Sequence, residues 1–425
     1  MNRFSHLMTP TDHPAPLRIC LLSYRSNPHC GGQGVYVQHL SRALKNLGHQ
    51  VDVISGPPDP ILAEDIGLFR LPGLDLYNPD DLFRMPTLRE LADPVNLIEW
   101  LDVSTMGFPE PFTFGIRAYK FLKDKLHQYD VVHDNQSLSY GIRSIGKYIP
   151  TIATIHHPIT VDRDLAVKTA PTIWKKMQQM RWYSFVGMQK RISRSLTHII
   201  TVSKSARNDI SKDFKIPFHK FRIVPNGIDT DLFYPIPGVK REKNRIIVTN
   251  SADTPLKGLD YLLQAVSKIL KTRRTRLIVI GTPKKNGYIE TLIRELGIGE
   301  CVSFTGRIDH NEFVRQYARA AVAVVPSVYE GFGLPAGEAM ACGLPVVCTT
   351  GGALPEVVGD AGILVPPADP EALAGSITRL LENPEQAAKI GRAGRMRVHK
   401  HFTWKRAAEM TVEAYREAIR DYRRL

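Results

Sequence analysis

Cysteine is scarce: Cys20, Cys30, Cys301, Cys342 and Cys348 form an odd-numbered set with no metal-like spacing. A disulfide framework and a zinc site are therefore not expected. No apolar run approaches the roughly 20 residues a membrane-spanning helix needs, the nearest being the short stretch 320–326. The start has no apolar signal core, and the expectation is a protein of the reducing cytoplasm. Neither G-x-G-x-x-G nor a G-K-[ST] phosphate loop occurs, which argues against a dinucleotide fingerprint or a Walker site. Long disorder is excluded by 43% hydrophobic and 23% charged residues. Only residues 1–16, with Pro10, Pro14 and Pro16 among small polar residues, read as a disordered leader.

At 425 residues the chain exceeds what one hydrophobic core organises, so two domains are expected. Short β-branched runs alternate with helical patterns throughout, the sequence form of a parallel sheet covered on both faces. Strands are expected at 18–24, 51–55, 131–133, 151–156, 198–202 and 222–224. After a proline- and charge-rich linker at 235–243, a second series is expected at 245–249, 276–280, 302–305, 321–325 and 345–349. The fold class is α/β, with two doubly wound Rossmann-like units facing each other across a cleft. The first would span 17–230 and the second 231–403, with a last helix at 404–425 packing back on the first. The proline-rich stretch 57–111 reads as an irregular connection rather than sheet core.

The formal net charge of +14 favours an acidic partner. Residues 168–194 mix Lys168, Lys175, Lys176, Arg181, Lys190, Arg191 and Arg194 with Trp174, Trp182, Tyr183 and Phe185. Two readings stay open: a basic amphipathic helix lying on an anionic membrane surface, or a long helix with its aromatics packed inward.

Doubly wound sheets bind ligands beyond the carboxyl ends of their strands, so residues just after strands carry the chemistry. Cys30-Gly-Gly-Gln-Gly34 follows the first strand and precedes a helix, where glycines let backbone approach a phosphate. The stronger signal is Pro326-Ser-Val-Tyr-Glu330-Gly-Phe-Gly-Leu-Pro-Ala-Gly-Glu338. Pro335 suits the first turn of a helix carrying Glu338, and Glu330 sits in the loop before it. Two carboxylates thus bracket a helix start whose free N–H groups suit an anion, while the acids suit sugar hydroxyls. Asp229-Thr-Asp231 and Asp162-Arg-Asp164 imitate a D-x-D metal motif outside the strand context it needs, so no metal is expected. His156 and His157 end a strand at the expected cleft. His133 reads equally as a core histidine.

The block from Val302 to Val365, above all Glu330 through Glu338 with the following Gly-Gly-Ala-Leu-Pro-Glu356, resembles the E-x7-E region of family 4 retaining glycosyltransferases, which have the GT-B fold. Gly31-Gly32, Asp130-Val-Val-His133, Thr154-Ile-His156, Val224-Pro-Asn226-Gly-Ile-Asp229 and Pro255-Leu-Lys257-Gly258 resemble further landmarks in the same order. The resemblance implies that Glu330 contacts donor sugar hydroxyls near the reacting carbon and Glu338 the nucleotide ribose. Gly331, Phe332 and Gly333 would offer amides to the sugar, Leu334 would lie close to the phosphates, and Lys257 would neutralise the leaving diphosphate. Gly31 and Gly32 would approach the phosphates from the other domain, Asn226 would join the donor site, and His156 would line it on the acceptor side. The family commonly has an arginine about five residues before this lysine, but Asn250-Ser-Ala-Asp-Thr-Pro-Leu-Lys257 contains none. Ser251 and Thr254, or a cation from elsewhere, would take its place.

The implied activity moves a hexosyl unit from a UDP- or GDP-linked sugar to a hydroxyl acceptor, a small glycoside or a lipid-linked one, with retention and without metal or cofactor. The nucleotide sugar is substrate rather than cofactor. The expected location is cytoplasmic, with the inner membrane face as a peripheral site. Rival readings are an epimerase or phosphorylase of the same fold, and a basic nucleic-acid-binding protein, for which no binding motif is present.

Overall fold

The computed structural model describes residues 15–27, 32–78, 81, 84–249 and 255–424. Two sheets, every pairing parallel, organise the chain. The first contains β1 (Arg18–Ser23), β2 (Gln50–Ser55), β3 (Gly67–Arg70), β4 (Val131–Asn135), β5 (Thr151–Ile155), β6 (His198–Thr201) and β7 (Phe221–Ile223), in the order β3-β2-β1-β4-β5-β6-β7. The second contains β8 (Arg245–Thr249), β9 (Arg276–Ile280), β10 (Val302–Phe304), β11 (Val322–Val325), β12 (Val346–Thr349) and β13 (Ile363–Val365), in the order β10-β9-β8-β11-β12-β13. In each sheet the order reverses once, between β1 and β4 and between β8 and β11. Those reversals leave crevices at the strand ends where doubly wound folds hold ligands.

The central strands form because their apolar runs can be buried on both faces: β4, β5, β6, β11 and β12 are buried along their whole length. Two strands escape the apolar-run signal. β3 is an edge strand with no buried residue, and β13 has three residues of which one is buried. β3 and the helix Pro94–Ser104 both fall in the stretch 57–111, which is therefore more ordered than its prolines suggest. Residues 168–194 are not one long helix either. Helices Ile173–Trp182 and Val186–Ser195 meet at a 3₁₀ turn, Tyr183–Phe185. Trp182 and Phe185 pack inward on Phe108, at 5.0 and 5.3 Å between ring centroids, whereas Ile173, Trp174, Met177 and Met180 are exposed.

The helix Trp404–Tyr422 returns to the first sheet. Ala408, Val412, Tyr415 and Ile419 share a buried cluster with Ile19, Leu40, Leu44 and Val131. Tyr415 also bonds the Nδ1 side of His133 at 2.7 Å, and the Nε2 side of that ring meets Thr154 Oγ1 at 2.7 Å. With both nitrogens satisfied and burial pushing it down to about 3, His133 is a neutral core histidine. The chain crosses near the same place. Ile228 N–H donates to the Phe402 carbonyl at 2.7 Å, and a Cβ on Gly227 would stand 2.4 Å from Trp404 Cγ.

Candidate active site

Lys257 and Glu330 come from the two strands that flank the second sheet's reversal, Lys257 beyond β8 and Glu330 beyond β11. The loops reach each other because backbone is allowed unusually close. Gly258 has φ +65 and a Cβ there would stand 2.2 Å from the Pro326 carbonyl oxygen; Val328 N–H donates to the Leu256 carbonyl at 2.8 Å. On the other side Ala353 N–H donates to the Glu330 carbonyl at 2.8 Å, and a Cβ on Gly352, φ +62, would stand 2.2 Å from that oxygen. So clamped, the Glu330 carboxylate accepts from Lys257 Nζ at 2.6 Å and from Ser327 Oγ at 2.8 Å. Its side chain is 11% exposed and that of Lys257 33%, an ion pair with one partner facing outward.

Gly333, at φ +99, starts the helix Leu334–Ala341 with Pro335 in its first turn, as the sequence predicts. Phe332 turns away: its ring is buried and meets Phe402 edge-on at 5.7 Å, leaving only its backbone for the crevice. Leu334 is partly exposed beside it. One helical turn further on, burial pushes the Glu338 carboxyl up to about 7, and no described residue hydrogen-bonds it.

The first sheet's edge meets this loop directly. A Cβ on Gly331 would stand 2.8 Å from the His156 carbonyl oxygen and 3.0 Å from His157 Cβ, and the Gly331 carbonyl accepts from Ser203 Oγ at 2.8 Å. Glu356 reaches the same way: its carboxylate accepts from the backbone N–H groups of Lys204 and Ser205, both at 2.8 Å, at the start of helix Lys204–Phe214. His156 Nε2 meets Asn135 Oδ1 at 2.8 Å and the ring lies edge-on to Tyr36 at 4.7 Å. Burial, with His157 and His133 nearby, pushes it down to about 3, so it is neutral near pH 7.

Asn135 also donates to the Gln33 carbonyl at 3.3 Å, tying His156 to the turn after β1. Gly31 lies outside the described residues; Gly32 opens the helix Gly32–Asn46, with nothing within 4 Å of where its Cβ would be. Residues 250–254, which include Ser251 and Thr254, lie outside the described residues too. Asn226 is buried at the crossing, and its Oδ1 has no hydrogen-bond partner among the described residues.

Sequence reading overlooks Ser327, Asn135, Gln136 and Tyr36. Gln136 accepts the His156 backbone N–H at 2.8 Å from a left-handed conformation, φ +58, which Asp134 holds by accepting from Leu138 N–H at 2.8 Å. That Asx geometry, D-N-Q-S at the end of a strand, is the available signal. The D-x-D imitations are engaged locally: Asp229 lies 3.8 Å from His39 and accepts from Leu232 N–H at 3.1 Å, and Asp162 meets His157 at 2.8 Å.

The chain matches the family model of glycosyltransferase family 4 over residues 30–232 and that of glycosyl transferases group 1 over 234–397. It is 46% identical over 408 residues to the MMP alpha-(1->4)-mannosyltransferase of Mycolicibacterium hassiacum, covering 95% of this chain and 98% of that one. The chain belongs to the family 4 glycosyltransferases. The enzyme superposes on sucrose-phosphate synthase from Thermosynechococcus elongatus with TM-score 0.72 and 26% identity, covering 95% of the enzyme and 100% of that chain. HepE from Anabaena, solved in complex with UDP and glucose, gives TM-score 0.66 at 17% identity, covering 93% and 98%. Two α/β units with parallel sheets facing a crevice make this glycosyltransferase a GT-B enzyme. Among its described residues no helix is long and apolar enough to cross a membrane.

Proposed function

We propose that the enzyme is a retaining mannosyltransferase that moves a mannosyl unit from a UDP- or GDP-linked donor to a hydroxyl of a glycoside acceptor. The Lys257–Glu330 pair beside the amide-rich start of helix Leu334–Ala341 carries this reading. A departing nucleoside diphosphate gathers negative charge, and a lysine with free backbone N–H groups stabilises that charge where water is kept out. Glu330, held by Lys257 and Ser327, keeps its second carboxylate oxygen for sugar hydroxyls, with the amides of Gly331, Phe332 and Gly333 alongside and Leu334 near the phosphates. Glu338, unpaired one turn away, accepts from the ribose. Gly32 faces the phosphates from the other unit, where Asn226 contributes its unpaired oxygen, and His156 lines the acceptor side. The unit bounds, 17–230 plus the returning helix 404–425 and 231–403, belong to the same reading.

The relative's name supplies the sugar and the linkage class: a mannosyl unit joined by an α bond. Nucleotide-linked mannose carries an α bond as well, so an α product means retention. The departing phosphate oxygen takes the acceptor's proton as the C1–O bond breaks on the same face, and no metal is required. Positioning and charge stabilisation provide the rate.

The test is incubation with GDP-mannose or UDP-mannose, with and without mannoside acceptors, reading diphosphate release and the anomeric configuration of the product by NMR. Acceptor-dependent release and an α linkage are expected. A β linkage overturns retention, and conversion of the sugar without acceptor favours an epimerase. A second reading rests on the exposed face of helix Ile173–Trp182, where Ile173, Trp174, Met177 and Met180 stand free beside Lys175 and Lys176. It makes the acceptor lipid-linked and presented at the inner membrane face, and failure to co-sediment with anionic liposomes at low salt would remove it.

A further inference from the structure

A cavity of about 770 Å³ opens at the end of the second sheet opposite the crevice, where Asn244, Ala321 and Pro345 lead into β8, β11 and β12. Its floor is apolar, formed by Pro235, Ala321, Pro345, Leu380 and Leu381. One wall is a face of helix Pro384–His401, on which Pro384, Ala387, Ala388, Arg392 and Arg395 follow one another at helical spacing.

The charges on its rim are unequal. Glu382 is paired with Arg273 at 3.3 Å, and Glu242 with Arg245 at 3.0 Å and Arg319 at 2.6 Å. Arg241 is fixed in the wall without an acid, its guanidinium donating to the Gly343 carbonyl at 2.8 Å. The side chains of Lys243, Arg392 and Arg395 make no hydrogen bond or ion pair among the described residues. A second groove, of about 630 Å³, continues past Lys243 to Arg274 and Arg276. The acids are thus neutralised by partners of their own, and the net charge left over the apolar floor is positive.

Small-ligand pockets typically enclose about 300–1,000 Å³ of mostly apolar wall with a few placed polar groups, and this cavity has those proportions. We propose that it is a second ligand site of the enzyme, separate from the sugar-transfer crevice, and that it takes a small anionic amphiphile. The apolar body rests on Leu380, Pro345 and Ala321, and the anionic head meets Arg392, Arg395 and Lys243. A simple anion would leave the floor wet, and a neutral apolar molecule would leave the arginines unanswered.

The site touches the transfer machinery through one element. Gly343 and Pro345 follow directly on helix Leu334–Ala341, whose other end starts at Gly333 in the crevice. Gly391 packs against the same turn, where its Cβ would stand 2.1 Å from the Gly343 carbonyl oxygen.

The probe is 1-anilinonaphthalene-8-sulfonate, an anionic aromatic amphiphile whose fluorescence rises in apolar surroundings, titrated into the full chain. Its neutral counterpart N-phenyl-1-naphthylamine and inorganic phosphate separate the apolar and ionic contributions. Saturable binding of the sulfonate is expected, about tenfold or more weaker in Arg392→Glu/Arg395→Glu, which reverses the charge that meets the anionic head, and in Ala388→Trp, which fills the cavity with a large ring. Both variants change exposed side chains and are expected to keep wild-type melting temperature and mannosyl transfer. Unchanged sulfonate affinity in both variants overturns the site, as does displacement of the dye by a nucleoside diphosphate, which places it in the crevice. Equal affinity for the neutral dye, or displacement by phosphate at the same concentration as by a second amphiphile, overturns the ligand class.

Discussion

The two sheet edges that face the crevice are built on different principles. At the second sheet's edge charges meet: Lys257 and Glu330 are 2.6 Å apart, Glu338 lies one turn beyond, and glycines at φ +65, +99 and +62 let the loops interlock. At the first sheet's edge the central group is neutral: His156 is pushed down to about 3 and is held by Asn135 and Gln136. An edge that stabilises a leaving anion needs fixed charge and free amides. On the proposed reading, an edge that orients a neutral hydroxyl needs shape and hydrogen bonds, and a cation there would compete with Lys257 for a diphosphate.

The comparison is broken most directly by removing charge on one side. Glu330→Gln and Lys257→Ala are each expected to lower kcat/KM about 10²–10³-fold, the loss typical of a preorganised electrostatic contact, with melting temperature little changed. His156→Ala is expected to cost less than either; a larger loss from His156 would mean that the neutral edge carries the chemistry.

The interlocking is tested at Gly352. Gly352→Ala places a Cβ on the Glu330 carbonyl in a left-handed conformation, and about 2–3 kcal/mol of stability should disappear in urea titrations. Full stability in this variant would mean that the clamp yields easily.

A milder test sets two histidines against each other. His133→Phe leaves the Tyr415 hydroxyl and Thr154 without their partner, so about 1–3 kcal/mol of stability is lost while kcat/KM of the folded enzyme stays put. His156→Ala should lower kcat/KM of the folded enzyme as well as stability, since Asn135 also loses its partner.

The smallest effect is a pH slope. The Glu338 carboxyl of the free enzyme is raised to about 7 by burial, so the ionised form that would accept from the ribose in the proposed site is complete only above that pH. Donor affinity should therefore fall on acidification below pH 7, by at most about tenfold per pH unit, which is 1.36 kcal/mol, and level off at higher pH. In Glu338→Gln the slope should flatten; an equally steep slope there assigns the titration to another group.

The same contrast decides what is legible in the sequence alone. The carboxylates, the lysine and the glycines of the second edge announce themselves, because charge in a glycine-rich loop after an apolar strand costs stability unless it serves contacts there. The central strands were legible for a similar reason, being apolar runs buried on both faces. Asn135, Gln136 and Tyr36 were not, since a neutral side chain acquires meaning only from what the fold puts beside it. β3 and β13 failed because an edge strand or a three-residue strand buries too little to show a period, and helix Pro94–Ser104 because it buries only Val95 and Glu99. The mixed segment 168–194 could not be resolved by composition, since its Trp174 faces outward and its Trp182 inward.

Glu356 lends its carboxylate to a helix that belongs to the other half of the molecule. A first-turn acceptor of this kind is worth about 1 kcal/mol to the helix it serves. Any parting of the two halves would take the Glu356 carboxylate away from the first turn of helix Lys204–Phe214, so the amide protons of Lys204 and Ser205 would gauge how often that happens. Their exchange with solvent deuterium would count openings in the resting enzyme, without substrate and without turnover.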